Sequence, residues 1–330
     1  SEANDLALRI ARAHTSATRG GDTIVIDGGY HGHTQALIDI STYKWRQATD
    51  GKNRKPTSTH VVSLPDTFRG PHRGFTAQSG REYAREVERV VEETGGVGVF
   101  ISESSVGCGG QVLLPPLYLQ TAYAAVRSKG GICIADEVQT GFGRCGKHMW
   151  LWQTHGVVPD IFTTGKPQGN GYPLAAVICK REVAESFASS GIEYFNTFGG
   201  NSVACTIGNE VLDIIVDEGL QEQALRVGEY LKEKLRSLAV TFASIGDVRG
   251  EGLFLGVDLV HDRVSLKPAT KLASHVVKYC MEEWRVMIST DGFDNNVLKI
   301  KPPLVFGFEE ADILCQAIEG ALLHAAGMNA

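Results

Sequence analysis

Apolar and polar positions fall in short alternating blocks along this chain, and the blocks predict strands and helices in turn. The opening SEANDLALRIARAHT reads as a helix already under way. Leu6, Leu8, Ile10 and Ala11 give it an apolar side, and acids crowd its first turn, where the helix dipole favours them. TIVID (Thr23–Asp27) is a short buried strand that runs into GGYHGH. VGVFISE (Val97–Glu103) is a second strand, ending in an acid and a loop rich in Ser and Gly. An amphipathic helix, Leu117–Ser128, crosses over to the apolar run Ile132–Ala135, which stops at Asp136 and Glu137. The apolar pair Ile161 and Phe162 leads through Thr163, Thr164 and Gly165 to Lys166, and PLAAVICK (Pro173–Lys180) is one more strand. Asn201–Val216 reads as a long helix, Leu220–Leu238 as a charged amphipathic one, and GDVRGEGLFLGVDLV (Gly246–Val260) as a strand with a glycine entry. A final strand and helix arrangement reaches Ala330. This alternation predicts an α/β fold, a mostly parallel sheet with helices on both faces. The polar stretch Lys44–Pro56 is predicted to be a mobile, exposed loop.

The length, 330 residues, exceeds the usual span of a single domain and predicts a large domain followed by a smaller one. The change is placed near Asp217, giving 1–217 and 218–330. A formal net charge of −6 argues against nucleic acid as a partner. No apolar run approaches the ~18 residues of a membrane span. The 7 cysteines are scattered singly without CxxC pairs, which argues for reduced thiols in an intracellular compartment and against a disulfide framework or a zinc site. Cys108 and Cys145 lie near glycine-rich stretches and read as small buried thiols.

Candidate chemistry sits at the strand ends. An acid at one end, Asp136, and a lysine at the next, Lys166, suit a ligand site at the carboxyl edge of a parallel sheet. They are also what pyridoxal phosphate requires: a lysine amine to bond it and a carboxylate to keep its ring nitrogen protonated. Asp136 read alone could instead cap the turn that follows it. His31 and His33 stand at i, i+2, as metal ligands sometimes do, but no third ligand is evident and no metal is expected.

The run DEVQTGFGR (Asp136–Arg144), followed by DIFTTGK (Asp160–Lys166), resembles the class III aminotransferase family of fold-type-I, pyridoxal-phosphate-dependent enzymes. The resemblance implies that fold: a large domain with a seven-stranded-type, mostly parallel sheet and a smaller C-terminal α+β domain. It also implies roles. Lys166 would bond the cofactor and later move a proton at the substrate carbon; Asp136 would pair with the ring nitrogen. Val138 would pack on one face of the ring, Tyr30 of YHGH would stack on the other, and Gln139 would hydrogen-bond the phenolic oxygen. Ser1 corresponds to the last residue of a Ser-Gly-Ser turn that binds the cofactor phosphate, so the turn's first part and the segment before it are expected to be missing from this chain. Thr197 of NTFGGN (Asn196–Asn201) would reach the phosphate of a neighbouring subunit, which implies a homodimer with shared sites, a tetramer being the alternative.

Two departures narrow the resemblance. Transaminases of the family carry an arginine on the last strand, before Pro-Pro, that forks onto the carboxylate of the acceptor; here VLKIKPPL puts Lys299 at that position. Lysine is a point charge and makes no such fork. Glu103 matches the acid that pairs with the arginine, yet the loop after it reads Ser-Ser-Val-Gly. SEANDLALR, YHGH, CGGQ, SSG-EYFNT-GGN and NVLKIKPP together resemble the alanine–glyoxylate aminotransferase 2-like and ethanolamine-phosphate phospho-lyase group. That implies elimination of phosphate from phosphoethanolamine or phosphohydroxylysine, with Lys299 or Arg144 as candidate holders of the substrate phosphate. Transamination onto a 2-oxo acid and a non-catalytic or truncated paralogue stand as alternatives. Relatives of the group are often mitochondrial.

Overall fold

A computed structural model describes residues 1–19, 21–45 and 56–327. The chain forms two compact units: Ser1–Val106 with Leu114–Phe142 and Trp150–Ile215, and Gly107–Leu113 with Gly143–Met149 and Val216–Ala330. Most of the predicted Lys44–Pro56 loop, residues 46–55, lies outside the described residues, while Lys44 itself belongs to a short helix, Thr42–Trp45.

The first unit is built on a six-stranded sheet among the described residues, ordered Thr59–Val62, Thr23–Ile26, Val99–Glu103, Ile132–Asp136, Ile161–Thr164, Ala176–Cys179. The first five run parallel. Val99–Glu103 and Ile132–Asp136 are buried at every position, as central strands covered on both faces are. The sixth strand is antiparallel to its neighbour. The turn from Gly165 to Pro173 is too short to house a crossover helix, so the chain returns alongside instead.

The helix Glu2–Arg19 lays Ala7, Leu8 and Ala11 onto the sheet, in a core shared with Val25, Ile101, Ile134 and Ile161. Ala77–Glu93, which the apolar pattern did not single out, opens with a reciprocal cap between Thr76 and Ser79 and packs against Tyr118–Ser128. Gly80 sits inside this helix, where glycine costs about 1 kcal/mol. A Cβ there would lie 1.9 Å from the carbonyl oxygen of Pro116, so only glycine permits the approach.

The second unit has a four-stranded antiparallel sheet, ordered Ser289–Asp291, Val297–Ile300, Phe254–Leu259, Ile245–Glu251. Helices Leu220–Thr241, Thr270–Trp284 and Phe308–Gly327 pack with it around Leu231, Leu255, Val276 and Ile318. The stretch Gly246–Val260, predicted as one strand, is a hairpin of two. Gly252 turns the chain at φ +54°, and a Cβ on it would meet the Arg144 carbonyl oxygen at 2.6 Å. Its neighbours Glu251 and Phe254 then face each other across the ladder.

Candidate active site

Parallel register brings the carboxyl ends of three central strands level: Glu103 pairs with Asp136, and Asp136 with Thr163. Beyond that edge lies a cavity of about 680 Å³. Ser1, Tyr30, Asp136, Val138, Gln139 and Lys166 all line it. Residues from four separate stretches of sequence thus converge on one space, all within the first unit.

Asp136 is only 3% exposed. Its Oδ2 accepts from Asn4 Nδ2 at 2.7 Å and from His31 Nδ1 at 2.9 Å, and its Oδ1 accepts from the Val138 backbone N–H at 3.1 Å. An ionised carboxylate only accepts, so the His31 hydrogen sits on Nδ1. His31 Nε2 is buried with no partner among the described residues. Asn4 also donates to the His31 carbonyl at 2.8 Å, and its own Oδ1 accepts from Thr163 Oγ1 at 2.6 Å.

Glu137, next along the extended chain, turns to the opposite side. It accepts from Ser104 Oγ, from Thr140 Oγ1 at 2.7 Å, and from the backbone N–H groups of Leu151 and Trp152 at 2.9 and 3.0 Å. Burial pushes its carboxyl above the ordinary range, against the pull of these donors. The two adjacent acids therefore have separate tasks: Asp136 faces the cavity and Glu137 ties loops together behind it.

Lys166 follows Gly165 at the next strand end. A Cβ on Gly165 would press to 3.3 Å from Val138, so glycine keeps these two stretches close. The Lys166 side chain is exposed and its amine makes no hydrogen bond or ion pair among the described residues. Glu103 does not line the cavity; it accepts from the Tyr30 backbone N–H at 3.2 Å and from Gln139 Nε2 at 3.3 Å, bracing two residues that do.

The opening turn of the first helix borders the cavity, where Ser1 Oγ accepts from the His33 N–H at 3.1 Å. On another side, Asn196 Oδ1 accepts from the N–H groups of Phe198 and Gly199, both at 3.0 Å, and folds a tight turn. Asn196, Phe198 and Gly199 line the cavity; Thr197 does not and is exposed.

Arg144 and Lys299 belong to the second unit. The Arg144 guanidinium donates to the carbonyls of Pro302 and Leu253 at 2.8 and 3.1 Å, and burial lowers its pKa. The Lys299 amine lies 3.2 Å from Asp291 Oδ1.

Sequence reading missed Asn4, Thr163 and the bond from His31 to Asp136. A signal was present for Asn4: it is a polar residue on the buried face of the first helix, one turn before Leu8, and only 2% exposed.

These residues fit pyridoxal phosphate. No lysine or arginine among the described residues pairs with Asp136, so its carboxylate could take a cationic ring nitrogen as partner. An unengaged lysine amine opens on the same cavity, and an aromatic and a branched aliphatic side chain stand ready to flank a flat ring.

Comparison with known proteins agrees. The family model Aminotransferase class-III matches residues 1–322. The chain belongs to that family, and pyridoxal phosphate is its cofactor. A Drosophila melanogaster protein named alanine–glyoxylate aminotransferase 2-like is 47% identical over 322 residues, 94% of this chain and 64% of its own length. The Caenorhabditis elegans ethanolamine-phosphate phospho-lyase homolog 1 is 40% identical over 321 residues, 93% of this chain and 68% of its own length. The solved structure of a phospholyase from Arthrobacter in complex with phosphoethanolamine superposes with a TM-score of 0.89 at 36% identity, covering 98% of this chain and 75% of that one. The chain thus spans 64% of the length of the fly relative. No helix among the described residues is long and apolar enough to cross a membrane.

Proposed function

We propose that this chain carries the cofactor-binding core of a phospho-lyase acting on phosphoethanolamine, or by the same chemistry on phosphohydroxylysine. With phosphoethanolamine, one water is consumed and acetaldehyde, ammonia and phosphate are released. Pyridoxal phosphate, when bound, supplies an electron sink for the carbon beside the substrate nitrogen.

In this reading Lys166 holds the cofactor covalently, and its freed Nζ takes the proton from the substrate carbon that bears nitrogen. Asp136 keeps the ring nitrogen protonated. Tyr30 and Val138 flank the ring and keep water from its faces, and Gln139 donates to its phenolic oxygen. Ser1 orients the cofactor phosphate at a helix N-terminus. Loss of phosphate from the neighbouring substrate carbon releases an enamine, which water hydrolyses.

Thr197 takes its role in a second copy of the chain. Its exposure, beside Ile192, Phe195 and Phe198 at 64, 78 and 79% exposed, supports a homodimer in which this loop meets the partner's site.

The observation that carries the lyase reading is Lys299. The family's acceptor arginine is replaced by a point charge that Asp291 already engages, so the fork for a 2-oxo acid is gone, and elimination needs no acceptor. Likeness to the Arthrobacter phospholyase supports the same substrate. A second reading, transamination, is favoured by the name of the fly relative at 47% identity.

The test is phosphate release from phosphoethanolamine by the holoenzyme without any 2-oxo acid. Release that is lost in Lys166→Ala is the expected result. No release from either phosphorylated amine, with turnover only when pyruvate or glyoxylate is added, would replace the lyase with the transaminase. A protein that binds no cofactor would be a non-catalytic paralogue.

A further inference from the structure

The Asp136 carboxylate is gripped from both oxygens, and one of its donors has an orientation that is itself controlled. An asparagine amide presents its NH₂ or its oxygen depending on a half-turn about its last bond, and the hydrogen-bond network decides which. Asn4 is buried, so its choice matters: NH₂ toward Asp136 is attractive, while oxygen toward Asp136 sets two acceptors against each other. Asp136 Oδ2 and the His31 carbonyl, which only accept, make that choice, and Thr163 locks it by satisfying the buried oxygen that is left over. Its hydroxyl lies 2.6 Å from Asn4 Oδ1, and with the His31 carbonyl accepting from Nδ2 only one orientation satisfies every partner. Thr163 is placed for this by register, since it pairs with Asp136 across the adjacent strand.

We infer that Thr163 and Asn4 form a relay that positions Asp136 toward the cofactor. Thr163 never lines the cavity; it orients Asn4, and Asn4, together with His31 Nδ1, holds Oδ2. With both oxygens tethered, the carboxylate has one rotation and one strength as an acceptor. The relay therefore sets how tightly the cofactor's ring nitrogen is held and how firmly its proton is kept. The inference rests on Asp136 as the partner of that nitrogen, and it is independent of whether the reaction is a lyase or a transaminase.

Thr163→Val is close to isosteric and leaves the buried Asn4 Oδ1 unpaired, which loosens the amide's hold on Asp136. Thr163→Ser keeps the hydroxyl. Asn4→Asp places an acceptor where the donor stood. The measurements are the dissociation constant of pyridoxal phosphate from apoprotein, the pH profile of the bound cofactor's visible absorbance, and the apoprotein melting temperature. Hydrogen bonds to charged groups set the expected size, about tenfold weaker cofactor binding in Thr163→Val and more in Asn4→Asp. The absorbance profile shifts along the pH axis in both, and Thr163→Ser restores both readouts to near wild type. Equal loss in the valine and serine variants would overturn the relay in favour of packing, as would an unchanged dissociation constant and profile in Thr163→Val. Asp136→Asn separates the failures. If it alters affinity and absorbance while Thr163→Val does not, the relay is wrong and the site stands; if it too leaves them unchanged, the assignment of Asp136 falls with the relay.

Discussion

Asp136 and Asp160 lie at opposite ends of two neighbouring parallel strands and are almost equally hidden, at 3% and 6% exposure. Their surroundings differ in kind. Asp160, at the amino end, takes Lys180 at 2.6 Å, Arg127 at 3.0 Å and the Cys133 N–H at 2.8 Å. Burial alone would raise its pKa, yet these partners bring it below the ordinary value. Asp136, at the carboxyl end, receives an amide, an imidazole and a backbone N–H, and no lysine or arginine among the described residues. A buried carboxylate whose charge is answered within the protein is a brace. One that is hydrogen-bonded but left without a fixed cation attracts a cation that arrives later. Burial and residue type are the same at the two positions, so the partners alone tell brace from site.

The largest expected effect is on chemistry. Under the proposed assignment, Asp136→Asn should lower turnover by about a hundredfold or more, since the ring nitrogen would lose the group that keeps it protonated. Steady-state kinetics on the holoenzyme checks this, and turnover within a factor of a few of wild type would erase the distinction. Asp160→Asn should do the reverse. It removes the anion from two half-exposed cations and should cost about 2 kcal/mol of stability. That reads as a melting temperature lower by a few degrees, with turnover retained.

The smallest effect is a matter of slope. A carboxylate held below its ordinary pKa contributes stability that is present above that value and lost as pH falls from it through the lowered pKa of the folded state. Unfolding midpoints in urea should therefore fall more steeply for wild type than for Asp160→Asn as pH drops from 5 through the ordinary aspartate value of 3.8. Parallel curves would mean that Lys180 and Arg127 do not answer the charge of Asp160 in solution.

Much of this site was legible because strand-end chemistry is local. An apolar run that halts at Asp136 and another that passes through Gly165 to Lys166 announce a sheet edge with an acid and an amine on it. The first helix was legible from Leu6, Leu8, Ile10 and Ala11, and its span is Glu2–Arg19. What escaped depended on distant partners. Nothing near Asn4 in the chain says that its amide reaches Asp136, and nothing near Thr163 separates a strand threonine from one that orients another residue. Asp136 and Glu137 look alike as letters; only the alternation of an extended backbone sends one to the cavity and the other to Ser104, Thr140 and the turn at Leu151. The hairpin at Gly252 read as a single strand because its glycines pass for the strand's entry, whereas Gly252, at positive φ, turns the chain back on itself.

The bonds of Asn4 also have a timetable. Its partners Asp136 and Thr163 lie 132 and 159 residues further along the chain. A ribosome adding about 5–20 residues per second makes Thr163 roughly 8–30 s after Asn4. Throughout that interval the opening helix exists without the strand ends that give its asparagine a purpose. The bonds that fix the Asn4 amide are therefore complete only once the chain has been made past Thr163.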